Sequence, residues 1–246
     1  MMRFVALLGS AALMVATTAA LMVTTSSALM VATSSALMIA TSSASAADAP
    51  KLPAAKVEPA KVDPGKGQAI AGQVCAACHS ADGNSIAPAN PKIAGQFPEY
   101  INKQLLNFKA KDGKKAERES VVMSGMVANL SDDDMKNLAA YYAGQKLKPA
   151  VAKDKTLAAA GQKLWRGGNT ATGVPACAGC HGPDGSGIPA QYPRIAGQYA
   201  EYIEAQLKLF QAGQRTNDLN GMMRGVAARM TDKEIKAVAE YAAGLR

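Results

Sequence analysis

Apolar residues recur at helical spacing along most of the chain beyond residue 64. Tyr100, Ile101, Leu105 and Phe108 follow the 3.6-residue period, and Tyr202, Ile203, Leu207 and Phe210 repeat it. The spacing predicts a middle helix over 97–110 and another over 199–212. Residues 66–77 and 156–166 predict a first helix in each half that runs into a cysteine motif. The closing helices announce their starts. Ser131 precedes Asp132, Asp133 and Asp134, and Thr231-x-x-Glu234 is a capping box. Acids in these first turns also suit the helix dipole. No segment sustains strand alternation, so the fold class reads as all-α. Met and aromatic residues on these helices read mainly as core.

The pattern is written twice. CAACH at 75–79 matches CAGCH at 177–181, an offset of 102. PKIAGQFPEYINKQL at 91–105 matches PRIAGQYAEYIEAQL at 193–207 at the same offset. LSDDDMKNLAAYYAGQ at 130–145 matches MTDKEIKAVAEYAAGL at 230–245 at an offset of 100. The first half therefore carries a net two-residue insertion near Lys111–Glu119. A period near 100 is too long for a solenoid and suits a duplicated small domain. The expected units are 65–148 and 149–246, joined near KLKPAVAKDKT (146–156), where Pro149 and charge interrupt the helical pattern.

Residues 1–46 break this scheme. They hold one charged residue, Arg3, and Leu-Met pairs recur every eight residues from Leu13 to Met38. Arg3, a long apolar stretch and Ala44-Ser45-Ala46 read as a secretory signal peptide. The apolar stretch exceeds the usual ~7–15 residues, and uncleaved it is long enough to anchor in a bilayer. Residues 47–64 read as an extended tether, because Pro50, Pro53, Pro59 and Pro64 oppose a helix.

The net charge is 27 − 19 = +8 for the whole chain. It is spread evenly, 11 − 8 = +3 over 65–148 and 12 − 8 = +4 over 149–246. No dense Lys/Arg run of the nucleic-acid type occurs. A basic face for an acidic protein partner and a merely solvated surface both fit this charge.

Every Cys and every His lies in Cys75-x-x-Cys78-His79 or Cys177-x-x-Cys180-His181. C-x-x-C-H is the attachment string of c-type haem. Two thiols add to the vinyl groups of one porphyrin, and the adjacent His offers its Nε2 to the iron. A structural disulfide leaves the His after each pair unexplained. A thioredoxin-like pair needs a βα context, and a zinc site of four cysteines would join pairs about 100 residues apart. Two covalent haem c groups are the expected cofactors. They also enlarge the core of halves that are thin in aromatics.

The opposite face of each iron needs a second ligand. No third His and no free Cys exist, so Met is the candidate. Outside the leader stand Met123, Met126, Met135, Met222, Met223 and Met230. Met123 lies eight residues before Ser131 and Met223 eight before Thr231, and only this pair is Met in both halves. Met123 and Met223 are the assigned axial ligands, with Met126 and Met222 as fallbacks if the loop register slips. Soft sulfur favours ferrous iron, and a closed iron leaves no position for oxygen or substrate. That favours an electron carrier over an enzyme. Pro91 and Pro193 each lie twelve residues after the motif His. Their carbonyls are candidates to hold the imidazole Nδ1–H, and a plain turn-forming proline fits the same spacing. Gly95 and Gly197 are candidates for close passage of the backbone beside the ring.

C-A-x-C-H, P-[KR]-I-A-G-Q, the Met before the cap and the closing A-x-Y helix resemble class I c-type cytochromes. Their duplication over about 65–246 resembles the dihaem cytochrome c4 family. The resemblance implies two tandem class I cytochrome c domains, each wrapped around one covalent haem and packed about a pseudo-twofold axis. It also implies that the carbonyls at Pro91 and Pro193 hold the proximal His. It further implies a periplasmic protein, soluble or peripherally membrane-associated, passing electrons from a quinol-oxidising cytochrome bc complex or another donor toward a terminal oxidase. The alternative it implies is a dihaem relay subunit of a dehydrogenase such as a flavocytochrome c. The long leader and the proline-rich tether depart from the family's pattern.

Overall fold

The computed structural model describes residues 61–246. The leader and residues 47–60 of the expected tether lie outside the described residues. Helix α1 spans Pro64–Ile70, and Asp63 caps it by accepting bonds from the Gly65 and Lys66 amides at 2.9 and 3.3 Å. Pro64, expected to oppose a helix, instead opens one. At the first helical position its missing N–H costs nothing and its φ is already helical.

In the first half a π turn, Ala71–Cys75, carries α1 directly into α2, Ala76–His79. The second half differs. Helix α6 spans Lys155–Gly167 and stops at Gly168, whose φ of 68° is left-handed. Residues 168–176 then loop out, pinned by reciprocal Asn169–Val174 backbone bonds of 2.8 and 3.0 Å, before α7, Ala178–His181. The expected helix running into the second motif is therefore broken. Gly67 precedes Cys75 by eight residues and Gly161 precedes Cys177 by sixteen. The extra eight residues form the loop.

The middle and closing helices follow the predicted plan, as α3 (Pro98–Phe108), α5 (Asp132–Ala143), α8 (Ala200–Gln211) and α10 (Asp232–Gly244). Two short helices lie outside that plan, α4 (Val121–Val127) and α9 (Met222–Ala227), and carry Met123 and Met223. Ser131 and Thr231 both complete capping boxes, with Asp134 and Glu234 reaching back to the cap amides. Among the described residues there is no strand, only three isolated bridges. No described helix is long and apolar enough to cross a membrane.

Each half closes by crossing its first helix over its last, α1 on α5 and α6 on α10. Glycine permits the crossing. A Cβ on Gly67 would stand 2.1 Å from the Asn137 carbonyl oxygen, and one on Gly161 would stand 2.0 Å from that of Ala237. Helices α3 and α8 add the other core wall, through Ile101 and Ile203. The chain between the halves is tied down rather than loose. Lys148 N–H donates to Asn84 Oδ1 at 2.7 Å, Ala150 N–H to Gly197 O at 2.8 Å, and Asp154 N–H to buried Glu240 at 2.6 Å. Across the interface Gln96 grips the backbone of Arg194 at 2.8 and 3.0 Å, and Gln198 grips that of Lys92 at 2.8 and 3.0 Å.

Candidate functional site

The cysteine motifs form single helical turns that end at His79 and His181. Ser80 and Gly182 then take positive φ, which turns the chain away and leaves each imidazole on the inner side. Both rings are buried. His79 Nδ1 lies 3.0 Å from Pro91 O, and His181 Nδ1 lies 3.0 Å from Pro193 O. That contact requires the proton on Nδ1 and leaves Nε2 as a lone-pair donor. Burial pushes both imidazoles below the ordinary histidine range, with the proline carbonyls pulling the other way. A neutral ring is the form that binds iron.

All four cysteines are unbridged. Cys75 and Cys177 are half-buried against the two cores, while Cys78 and Cys180 are exposed. Burial pushes the Cys177 thiol up to about 11 and the Cys75 thiol up as well. Neither half-buried thiol is a poised thiolate. No three His, Cys, Asp or Glu side chains converge as a metal cluster among the described residues.

The methionines sort by environment. Met135 and Met230 are buried in the cores, on α5 and just before α10. Met126 and Met222 are exposed, at 45% and 38%. Met222 Sδ also lies 3.9 Å from the Tyr192 hydroxyl. Met123 and Met223 are half-buried, each packed on the cluster that also holds the first cysteine of its half. The Ser120 hydroxyl accepts the Met123 amide at 3.3 Å, fixing the start of α4.

Gly95 and Gly197 both have φ of 67° and donate to Tyr142 O and Ala242 O at 2.9 and 3.1 Å. Their visible role is to dock the loop after each proline onto the last helix. Sequence reasoning missed Tyr142. Its hydroxyl is buried against the Cys75 thiol.

The cytochrome c family model matches residues 65–145 and 158–245, once on each half. A cytochrome c4 of Thiocapsa roseopersicina is 49% identical over 181 residues, covering 73% of this chain and 91% of the relative. The chain belongs to the cytochrome c4 family. The crystal structure of reduced cytochrome c4 from Pseudomonas stutzeri superposes with a TM-score of 0.71 at 43% identity, covering 76% of this chain and all of that one. A thiosulfate dehydrogenase electron acceptor of Thiomonas intermedia is 41% identical, covering 69% of this chain and 77% of that protein. As a cytochrome c4 the chain is an electron carrier with two covalently bound haem c groups, one for each C-x-x-C-H. Its residues fit that group. Each half offers two unbridged thiols and a buried imidazole with its Nε2 free.

Proposed function

We propose that the chain is a periplasmic carrier, exported by its leader, whose two haem irons are closed by one His and one Met each. The units are 65–148 and 149–246. Cys75, Cys78, Cys177 and Cys180 form the thioethers. His79 and Met123 are the axial ligands in domain 1, and His181 and Met223 are those in domain 2. Pro91 and Pro193 hold the imidazoles through Nδ1. The bound haem supplies a one-electron iron couple that thioether ligation moves toward the ferrous state.

The observation that carries the ligand assignment is the methionine sorting. Among the described methionines, Met123 and Met223 alone combine half-burial with packing on the cluster that the first cysteine of the half also packs on, while the fallbacks Met126 and Met222 are exposed. The buried prolyl carbonyl bond fixes the ring orientation, which keeps reorganisation small as charge changes. A site closed on both faces excludes water and small ligands, which suits transfer rather than catalysis.

The partners are an electron donor, such as a quinol-oxidising cytochrome bc complex, and a terminal oxidase as acceptor. A relay role beside a dehydrogenase is the second reading, favoured by the likeness to the Thiomonas electron acceptor. Carbon monoxide tests the closed site. The reduced native protein should not bind it, Met123→Ala should bind one equivalent, and Met126→Ala should bind none. Ready binding by the unaltered protein would overturn the reading. Purification from the native host separates the two roles, because a stable complex containing flavin or molybdenum supports the relay.

A further inference from the structure

Each domain reaches across the interface with one glutamine and grips the peptide group that holds the other domain's imidazole. Pro91 O faces His79 Nδ1, and the same peptide unit ends in the Lys92 N–H. That N–H donates to Gln198 Oε1 of domain 2 at 3.0 Å. The second half repeats the arrangement. The peptide joining Pro193 to Arg194 meets His181 Nδ1 with its oxygen and gives its N–H to Gln96 Oε1 of domain 1, also at 3.0 Å. One peptide group and two hydrogen bonds therefore separate each motif His from a glutamine of the opposite domain.

The grip is two-pronged. Gln198 Nε2 donates to Lys92 O at 2.8 Å, and Gln96 Nε2 donates to Arg194 O at 2.8 Å. Each side-chain amide thus pairs with both backbone groups of one residue, as a neighbouring strand would. Local bonds settle its orientation. Gln198 Oε1 also accepts the Tyr199 N–H at 3.0 Å, and Gln96 Oε1 accepts the Phe97 N–H at 3.1 Å. A flipped amide would set N–H against N–H and oxygen against oxygen. Gln198 is buried and Gln96 half-buried.

A peptide group transmits polarisation. An acceptor on its N–H shifts electron density toward its carbonyl oxygen, which then accepts more strongly. A stronger acceptor on Nδ1–H makes the imidazole a more basic ligand, and a more basic ligand favours ferric iron. We propose that Gln96 and Gln198 are crossed positioning residues, each tuning the proximal imidazole, and through it the reduction potential, of the domain to which it does not belong. The proposal rests on His79 and His181 as iron ligands. Each glutamine lowers the potential of the opposite site, by polarising the prolyl carbonyl and by fixing its aim. The tuning also depends on domain contact, because both glutamine grips are lost if the halves part.

The test is a redox titration of the intact holoprotein followed by NMR, in which the resonances of His79 and His181 report each midpoint potential by domain. Ring protons of both histidines shifted far upfield in the unaltered protein show the ligation independently, so a negative result in the variants falls on the proposal alone. Gln198→Met keeps the length and loses both prongs. It should move the His79 Nδ1–H resonance and raise the domain 1 potential, with the domain 2 potential nearly unchanged. Exchange of the Lys92 amide should speed by about tenfold, the scale of one lost hydrogen bond. Gln96→Met should do the same to His181, Arg194 and the domain 2 potential. Gln198→Glu keeps the acceptor oxygen and adds negative charge to it. It should lower the domain 1 potential more than the domain 2 potential, and it reports even if the Met variants yield no holoprotein. Tyr199→Phe removes a different cross-domain bond, from Tyr199 Oη to Ser85 O at 2.6 Å, and should move neither potential. Unmoved potentials in the Met variants, a larger shift in the glutamine's own domain, equal shifts in both, or a Tyr199→Phe variant that shifts as they do would overturn the proposal.

Discussion

The two domains keep one ligand frame and build different cores beneath it. In domain 1 the position one turn after Gly67 is Ala71, and the last helix supplies Tyr142. In domain 2 the equivalent position after Gly161 is Trp165, and the last helix supplies Ala242. All four are buried. One large and one small residue have changed places between facing helices, which conserves volume as a packed core requires. The polar ends fare differently. Trp165 Nε1 donates to Pro183 O at 3.2 Å, while the Tyr142 hydroxyl meets only the Cys75 thiol. Around the imidazoles the contrast continues. His181 meets Tyr192 edge-on at 6.1 Å and lies 6.5 Å from Trp165. The residue matching Tyr192 in domain 1 is Asn90. The duplicated frame repeats the same candidate ligands, and the swapped packing surrounds the two imidazoles with different side chains.

The largest expected effect comes from Trp165→Ala, which should cost about 3–5 kcal/mol by denaturant unfolding, because a fully buried indole and its hydrogen bond go together. Next, Gly67→Ala and Gly161→Ala should each cost on the order of 1–3 kcal/mol, since the new methyl meets a backbone oxygen that cannot retreat. Nearly equal values would underline what the domains share, and a loss in one alone would break the equivalence of the two helix crossings. Tyr142→Phe should change stability by less than about 1 kcal/mol, because the deleted hydroxyl meets only the Cys75 sulfur, a weak hydrogen-bond partner. The smallest effect is acidic. The Lys148 ammonium beside Asp82 holds its carboxyl at about 2, with the Asn84 amide assisting. Its contribution is present above the unfolded value near ~4 and is lost as pH falls toward about 2. The pair is exposed, so the loss is small. In domain 2 the matching Asp184 is lowered by Ser186 and has no lysine. Urea midpoints taken above and below that window should converge between the unaltered protein and Lys148→Gln at the acid end.

The two C-x-x-C-H strings were legible because covalent attachment fixes the spacing of two thiols and a His. The proline twelve residues on was legible as a spacing, and the structure sets its carbonyl 3.0 Å from the imidazole in each half. The caps at Ser131 and Thr231 were legible for the same local reason. Elements that depend on loop length were not. The eight-residue excursion after Gly168 hid the equivalence of Ala71 and Trp165. The single net insertion read near Lys111–Glu119 conceals two opposite changes, a longer path from Phe108 to Arg118 and a shorter one from Arg118 to Met123 than in domain 2. Only in three dimensions do Arg118 and Arg215 correspond, each stacked on the phenylalanine of its own half at 4.6 and 4.5 Å from the ring centroid. Pro64 was misjudged because a proline opposes a helix everywhere except its first turn.

The most direct test joins a pyridine haemochrome assay on the intact oxidised protein to its near-infrared spectrum. The expected result is two haem c groups per chain, and a ferric sulfur-ligation band that halves in Met123→Ala, halves in Met223→Ala and stays unchanged in Met126→Ala and Met222→Ala. One haem per chain, or a band that survives loss of both Met123 and Met223, would contradict it.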